Sequence, residues 1–276
     1  MAAKISFIGA GNMANAIIGG LIKNHYPAKD ITATCPDDAL LDKLAAHYSI
    51  NTGNDNLKAA MAADVIILAV KPQIMRSVCE PLTAVLKTRV QAPLVISIAA
   101  GIPLNALNRW LGDAIPIVRA MPNTPAMIGK GATSLYASPL VDDQQKSAVE
   151  SIVSATGLFE WLDDEDLMDA ATAVAGSAPA YFFLLFSAME QAAVDQGLPQ
   201  QTARRLAIQT GLGAAAMALE SDETPEQLMR NVMSPQGSTE QAIAVFEDEK
   251  LRDIVTKAMQ ACAKRAKQMQ SEFADH

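Results

Sequence analysis

Ile5-Ser6-Phe7-Ile8-Gly9-Ala10-Gly11-Asn12-Met13-Ala14 combines strand, turn and helix signals within ten residues. Ile5, Phe7 and Ile8 have strand character, Gly9-Ala10-Gly11 reads as a tight turn, and an apolar helical pattern follows at once. Gly9, Gly11 and Ala14 fit G-x-G-x-x-A, with alanine in place of the third glycine. The first glycine makes the turn, and the second lets backbone approach a pyrophosphate without a Cβ in the way. The small third residue lets the helix lie close to the strand. Backbone N–H groups and the positive end of the helix dipole then face the phosphates. On its own the motif also fits an ordinary Gly-rich turn. Its place between a strand and a helix favours a dinucleotide site, with Ile8, Gly9, Ala10, Gly11, Asn12 and Met13 as contacts.

Outward from this start, Asn12–Lys23 reads as a helix, with Met13, Ala16, Ile17, Gly20 and Leu21 at helical spacing. A strand at Ile31–Thr34 and a helix at 39–47 come next. Val65-Ile66-Ile67-Leu68-Ala69-Val70 is a continuous apolar run, as in a parallel strand covered on both faces. Segments 94–98 and 115–120 are two more short strands, separated by a helix at 104–111. The alternation predicts an α/β fold with a Rossmann-type, doubly wound parallel sheet. Gly131–Ala137 and 158–162 are expected to extend it, around a helix at 142–155.

Beyond residue 163 no strand pattern remains, which places a dinucleotide-binding domain at 1–163 and a helical domain at 164–276. In the latter, 206–219 is apolar nearly all round. A helical domain of ~110 residues has limited capacity to bury such a helix alone. It is either a central core helix or, as favoured here, one that a second subunit covers, with Gly211 and Gly213 allowing close helix approach. Segment 251–273 reads as an amphipathic helix.

Composition narrows the partners. The chain of 276 residues carries a formal charge of −8 and no basic block, which argues against nucleic acid. Cys35, Cys79 and Cys262 are scattered, without metal-ligand spacing, and suit a reducing cytoplasm. The apolar run 178–189 is too short to span a bilayer, and no signal peptide is read ahead of the first strand. The expectation is a cytoplasmic protein without membrane or metal.

Two regions carry cofactor and substrate chemistry. The second strand ends in Thr34-Cys35-Pro36-Asp37-Asp38. An enzyme specific for NAD usually has an acidic side chain at this tip. Here Thr34 and Cys35 leave room for a 2′-phosphate, and Asp37 and Asp38 suit the start of the next helix. The reading favours NADPH and leaves NADH open. Met121-Pro122-Asn123-Thr124-Pro125 follows a strand at the edge of the sheet where ligands bind, which makes Met121 and Asn123 candidates. In the second half, neither Lys nor His occurs between Ser147 and Glu249. Reduction of a ketone benefits from a strong proton donor of that kind. A C=N bond, being basic, needs less. Asn231-Val232-Met233-Ser234-Pro235-Gln236-Gly237-Ser238-Thr239 offers hydroxyls, a glycine and N–H groups at a helix start, which together suit a carboxylate. A plain helix cap is the alternative for that stretch.

The chain resembles the pyrroline-5-carboxylate reductases nearly end to end. The resemblance is carried by residues 7–13, Ala69-Val70-Lys71-Pro72, Ser97-Ile98-Ala99-Ala100-Gly101, 121–125, Gly176-Ser177-Ala178-Pro179-Ala180-Tyr181 and 231–239. It implies NAD(P)H-dependent reduction of Δ1-pyrroline-5-carboxylate to L-proline, the last step of proline synthesis. It also implies a Rossmann domain followed by a helical domain that forms intertwined dimers, often assembled into decamers. Asn56 with the Thr34–Cys35 tip would then face the 2′-phosphate. Ala69, Val70, Lys71, Pro72, Ala99, Ala100, Gly101 and Asn231 would contact the cofactor. Ser234, Gly237, Ser238 and Thr239 would bind the substrate, with the Thr239 hydroxyl near the ring nitrogen as the catalytic group. Glu165 would approach substrate or product.

One position departs from the pattern. Gln236 stands where the family's Ser-Pro-Gly-Gly loop has its first glycine, so a positive φ there would strain the loop. Two other functions compete with imine reduction. A β-hydroxyacid dehydrogenase-like ketone reductase would want a Lys at the start of the helical domain, and none is present. A non-catalytic dinucleotide-binding oligomer would not need Thr239.

Overall fold

The computed structural model describes residues 2–274. Six strands in chain order, β1 (Ile5–Ile8), β2 (Ile31–Thr34), β3 (Asn51–Gly53), β4 (Val65–Leu68), β5 (Leu94–Ser97) and β6 (Ile117–Met121), run parallel. β7 (Gly131–Ala137) pairs antiparallel with β6, and β8 (Gly157–Trp161) lies parallel to β7. The sheet order is β3-β2-β1-β4-β5-β6-β7-β8. Chain order therefore reverses between β1 and β4, the crevice where open α/β sheets bind ligands.

Alternation along the buried strands feeds two apolar layers. Ile5, Phe7, Val65 and Ile67 face a layer made with α1 (Asn12–Lys23), α2 (Asp38–Tyr48) and, later in the chain, Val149, Ile152 and Val153. Ile8, Ile66 and Leu68 face α3 (Asn56–Ala62), α4 (Met75–Leu86) and α5 (Leu104–Leu111). This two-sided burial is why the strands read as unbroken apolar runs. α6 (Asp143–Val153) starts on a capping box of Asp142 and Gln145.

The helical half comprises α7 (Leu167–Ala171), α8 (Ala178–Asp195), α9 (Gln200–Glu220), α10 (Pro225–Asn231), α11 (Ser238–Asp248) and α12 (Leu251–Ala274). The compact units do not divide at residue 163. The sheet unit runs to Ser177 and takes back the chain from Gln260 on, and 178–259 form the second unit. The reason lies in side chains: Gln270 Nε2 donates to Asp169 Oδ1 at 2.6 Å, and Phe273 packs on the second apolar layer. Neither partner is visible as a pattern in the sequence.

A π-helical turn, Thr172–Gly176, joins α7 to α8. The joined run Leu167–Asp195 is long and apolar enough by length and composition to cross a membrane, with mean hydropathy 1.4 and 11% of its most apolar window buried. The shorter run 178–189 therefore understates this helix. In α9 the buried residues are Ala203 and Ala207, whereas Leu206, Leu212 and Leu219 stand 55%, 61% and 81% exposed. Gly211 has no room for a Cβ against the Phe186 ring of α8, so it does permit close approach of α8 and α9. Gly213 faces open space in the single chain.

Candidate functional site

Gly9 sits where β1, β2 and β4 end together. Its N–H donates to Thr34 O at 2.8 Å, and Ala69 N donates to Ile8 O at 2.8 Å. Its φ is +104°, and a Cβ there would meet Ala69 O at 2.6 Å, so only glycine fits. Gly11 behaves differently. It is the N-cap of α1 with extended backbone, and a Cβ would touch nothing within 4 Å. The fold therefore does not require glycine at that point; close approach by a ligand does. The start of α1 has no side-chain cap and no acidic residue in its first turn. Its N–H groups and dipole are thus offered to an anion, while Ala14 is buried against the sheet. These features fit a dinucleotide pyrophosphate.

At the β2 tip, Thr34 is buried and acts through its neighbour. Its Oγ1 donates to Asn56 Oδ1 at 2.6 Å, with Phe7 O a longer alternative at 3.2 Å. Held by its oxygen, the Asn56 amide keeps its Nδ2 donors for another acceptor. Asp37 accepts from Leu40 N at 3.1 Å and caps α2, as its position in the sequence suggests. Cys35 is half-buried, with a free thiol.

The loops after β4 and β5 extend the same edge. Ser97, at the end of β5, is buried, and its Oγ makes no hydrogen bond. Gly101 has φ +73°, and the end of α12 lies over it, with Met269 Cβ 3.2 Å from where a Cβ would stand. A cavity of about 40 Å³ remains between Gly101, Arg119, Met168, Asp169 and Gln270. Burial pushes the Asp169 carboxyl above its ordinary range, outweighing the Gln270 hydrogen bond and the Arg119 charge.

Two predicted site residues also have structural partners. Glu165 Oε1 accepts from Leu104 N at 2.6 Å and pairs with Arg119 Nη1 at 2.5 Å. Arg119 is 5% exposed, so Glu165 neutralises a buried cation and caps α5, whose own N-cap Pro103 supplies no side-chain bond. That pairing makes it a support of the sheet edge. Asn123 is likewise occupied at both ends: Nδ2 donates to Ala175 O at 3.1 Å, and Oδ1 accepts from Ala132 N at 2.9 Å. Pro179 explains the first bond. It lacks an N–H, so the carbonyl four residues earlier, Ala175 O, has no α-helical i+4 donor. Asn123 supplies that donor at the π turn and so fixes the loop.

In the helical unit, α10 and α11 flank the segment 232–237. Arg252 pairs with Glu226 of α10 at 3.1 Å and with Glu247 of α11 at 2.8 Å, which pins both helices. Gln236 has φ +59°, so the backbone takes the left-handed bend despite the side chain, and Glu240 Oε2 accepts from Gln236 N at 2.7 Å. Gly237 N donates to Ser234 O at 2.9 Å, and a Cβ on Gly237 would meet that oxygen at 2.8 Å. Gly237 puts no side-chain cap on α11, and Ser238 and Thr239 are exposed at its first two positions. Asn231 is held within the unit, donating to Glu223 Oε2 and accepting from Gln227 Nε2, both at 2.8 Å. The Arg119–Glu165 pair and the Pro179–Asn123 exchange escape sequence reading. The one available signal was the proline itself.

Comparison with known proteins agrees with this geometry. The family described as pyrroline-5-carboxylate reductase dimerisation matches residues 165–269, and that described as NADP oxidoreductase, coenzyme F420-dependent, matches 4–101. The pyrroline-5-carboxylate reductase of Pseudomonas aeruginosa is 45% identical over 270 residues, 98% of each chain. A solved pyrroline-5-carboxylate reductase from Coxiella burnetii is similar at a TM-score of 0.93 and 44% identity, covering 98% of this chain and 99% of that one. The Plasmodium falciparum enzyme, solved with NADP bound, is similar at 0.85 and 29% identity, covering 97% and 98%. Sheet order and glycine floor define a Rossmann-type fold, and the family matches make it an oxidoreductase. The chain belongs to the pyrroline-5-carboxylate reductase family. The dimerisation match, residues 165–269, contains α8 and α9, whose apolar faces are exposed in the single chain, and supports a homo-oligomer.

Proposed function

We propose that the chain reduces the cyclic imine Δ1-pyrroline-5-carboxylate to L-proline, with NADPH as the preferred coenzyme and NADH as an alternative. When bound, the nicotinamide supplies the hydride. Gly9, Ala10, Gly11, Asn12 and Met13 would hold the pyrophosphate, as the uncapped start of α1 favours. Asn56, braced by Thr34, and Cys35 would accommodate the 2′-phosphate. Ile8, the 69–72 and 99–101 loops, Met121 and Asn231 would complete the cofactor contacts.

The observation that carries the substrate reading is the start of α11. Its uncapped N–H groups, with Ser234, Gly237 and Ser238, suit the substrate carboxylate. The exposed Thr239 hydroxyl suits a hydrogen bond to the imine nitrogen. That donor is weak, and the region from 147 to 249 has neither Lys nor His. A protonated imine needs little acid from the protein, because its charge is relieved as the C–H bond forms; orientation counts for more. The lack of a strong acid therefore argues against a ketone substrate.

The test is kinetic. Thr239→Ala is expected to lower kcat/KM by roughly 10²-fold, in the range of a positioned proton donor. NADPH affinity should hold, and Thr239→Ser should retain most activity. Equal, slight impairment of both variants would reduce the loop to a carboxylate clamp. Assembly of dimers into a decamer in the cytoplasm belongs to the same proposal. The free thiols among the described residues support the compartment, and sedimentation at micromolar concentration reads the assembly.

A further inference from the structure

We propose a second ligand site, independent of the dinucleotide and substrate contacts, in a cavity of about 620 Å³ against α1. Its ligand is a small polyanion: two or more phosphate or carboxylate charges on a body no larger than a nucleotide. The volume lies within the usual range for small-molecule sites.

Charge is the first argument. Lys23, His47 and Lys130 line the cavity together with Asn15 and Asn24, and no carboxylate is among the lining residues. Yet the chain has 30 acidic residues against 22 basic ones. At that composition a lining of this size would hold one or two acids on average; this one holds none. Neither lysine forms an ion pair among the described residues. Lys23 and His47 lie in the last turns of α1 and α2, where the helix dipole already favours a cation. Lys130 lies in no helix and has no such reason to be there. Positive groups lining a concave surface concentrate anions.

Rigidity is the second. The cavity is not a product of loose packing. A Cβ on Gly20 would collide with Ala155 O, and one on Gly19 would stand 2.9 Å from Tyr48 Oη. The helix is thus pressed tightly against Tyr48 and Ala155, which form two walls of the space. His47 and Tyr48 meet edge to face at 4.4 Å. The remaining wall is the turn after the 121–125 loop, closed by Gly129 N to Ala126 O and Lys130 N to Pro125 O, both 3.0 Å. Met127 and Ile128 on that turn are 59% and 76% exposed, giving an apolar rim for the body of a ligand. Preformed walls cost a ligand little ordering entropy.

Calorimetric titration of the full-length enzyme, saturated with NADPH, tests the site. Inorganic pyrophosphate and citrate are the separate probes, at low ionic strength. Saturable binding of at least one probe is expected, with Kd below about 1 mM. Binding of pyrophosphate alone would assign phosphate esters, and citrate alone would assign polycarboxylates. Lys23→Glu and Lys130→Glu should each weaken binding by about tenfold or more, with imine turnover unchanged. No saturable binding of either probe would overturn the proposal. So would equal affinity in both variants, or binding seen only without NADPH, since the anion would then lie elsewhere or in the dinucleotide site. Because turnover is measured on the same samples, failure here leaves the reductase assignment standing.

Discussion

Replacing Asn123 by alanine removes the partner of two backbone groups at once. Ala175 O loses the amide that substitutes for the missing N–H of Pro179, and Ala132 N loses its acceptor. An orphaned buried polar group costs roughly 1–3 kcal/mol. Asn123 is 8% exposed, while Ala132 and Ala175 are only half-buried. The lower part of that range therefore applies to each group, for a total of about 2–4 kcal/mol. Urea unfolding at fixed protein concentration, followed by circular dichroism, should show a lower midpoint with an unchanged slope. Pro179→Ala provides the control, since it restores an N–H four residues after Ala175. In that background Asn123→Ala should cost about 1 kcal/mol less, a non-additivity expected of groups sharing one acceptor. A cost below about 0.5 kcal/mol for Asn123→Ala, or an identical cost in both backgrounds, would refute the exchange.

Glu165→Gln keeps an acceptor for Leu104 N but leaves Arg119 a buried, unpaired cation. It should destabilise the fold by about 3 kcal/mol, while kcat/KM of the folded fraction changes only a few-fold. A large kinetic loss at unchanged stability would return Glu165 to the substrate. Burial holds the Asp169 carboxyl above its unfolded value, so the folded state binds its proton more tightly. The resulting penalty is full above the folded pKa and vanishes as pH falls through it to the unfolded value. Asp169→Asn should therefore raise Tm relative to the parent most at neutral pH, with the gap closing in acid; a gap widening in acid contradicts this. Burial pushes the Cys79 thiol up to about 12. Alkylation of Cys79 by iodoacetamide should then follow the rate of unfolding, and fast labelling of the native enzyme would show the site to be open.

Patterns set by local physics were readable from the chain. Helix α1 and strand β2 lie where the apolar periodicity puts them, residue for residue, and Gly9 takes the positive φ expected of the first glycine in the G-x-G-x-x-A turn. Strand β3 was missed because Asn51, Thr52 and Gly53 carry no apolar signal; it holds an edge position through backbone pairing alone. Glu165 and Asn123 were legible as functional-looking side chains in the right loops. Their partners, Arg119, Leu104 and Ala175, are 46, 61 and 52 residues away in sequence, and no periodicity encodes such distances. The left-handed Gln236 shows the converse. A β-carbon strains that bend without forbidding it, and a backbone bond to Glu240 stabilises it.

The exposed faces of α8 and α9 also govern how this enzyme is born and how it dies. Phe182, Phe183 and Leu184 stand 58–73% exposed on a lone chain, beside Leu212 and Leu219 of the next helix. A freshly synthesised copy is thus sticky until it meets a sibling, and its lifetime in that state depends on how crowded with siblings its surroundings are. Dilution should act on it as a mild denaturant does. Its melting temperature is then a property of the solution as much as of the molecule, rising with each increase in protein concentration.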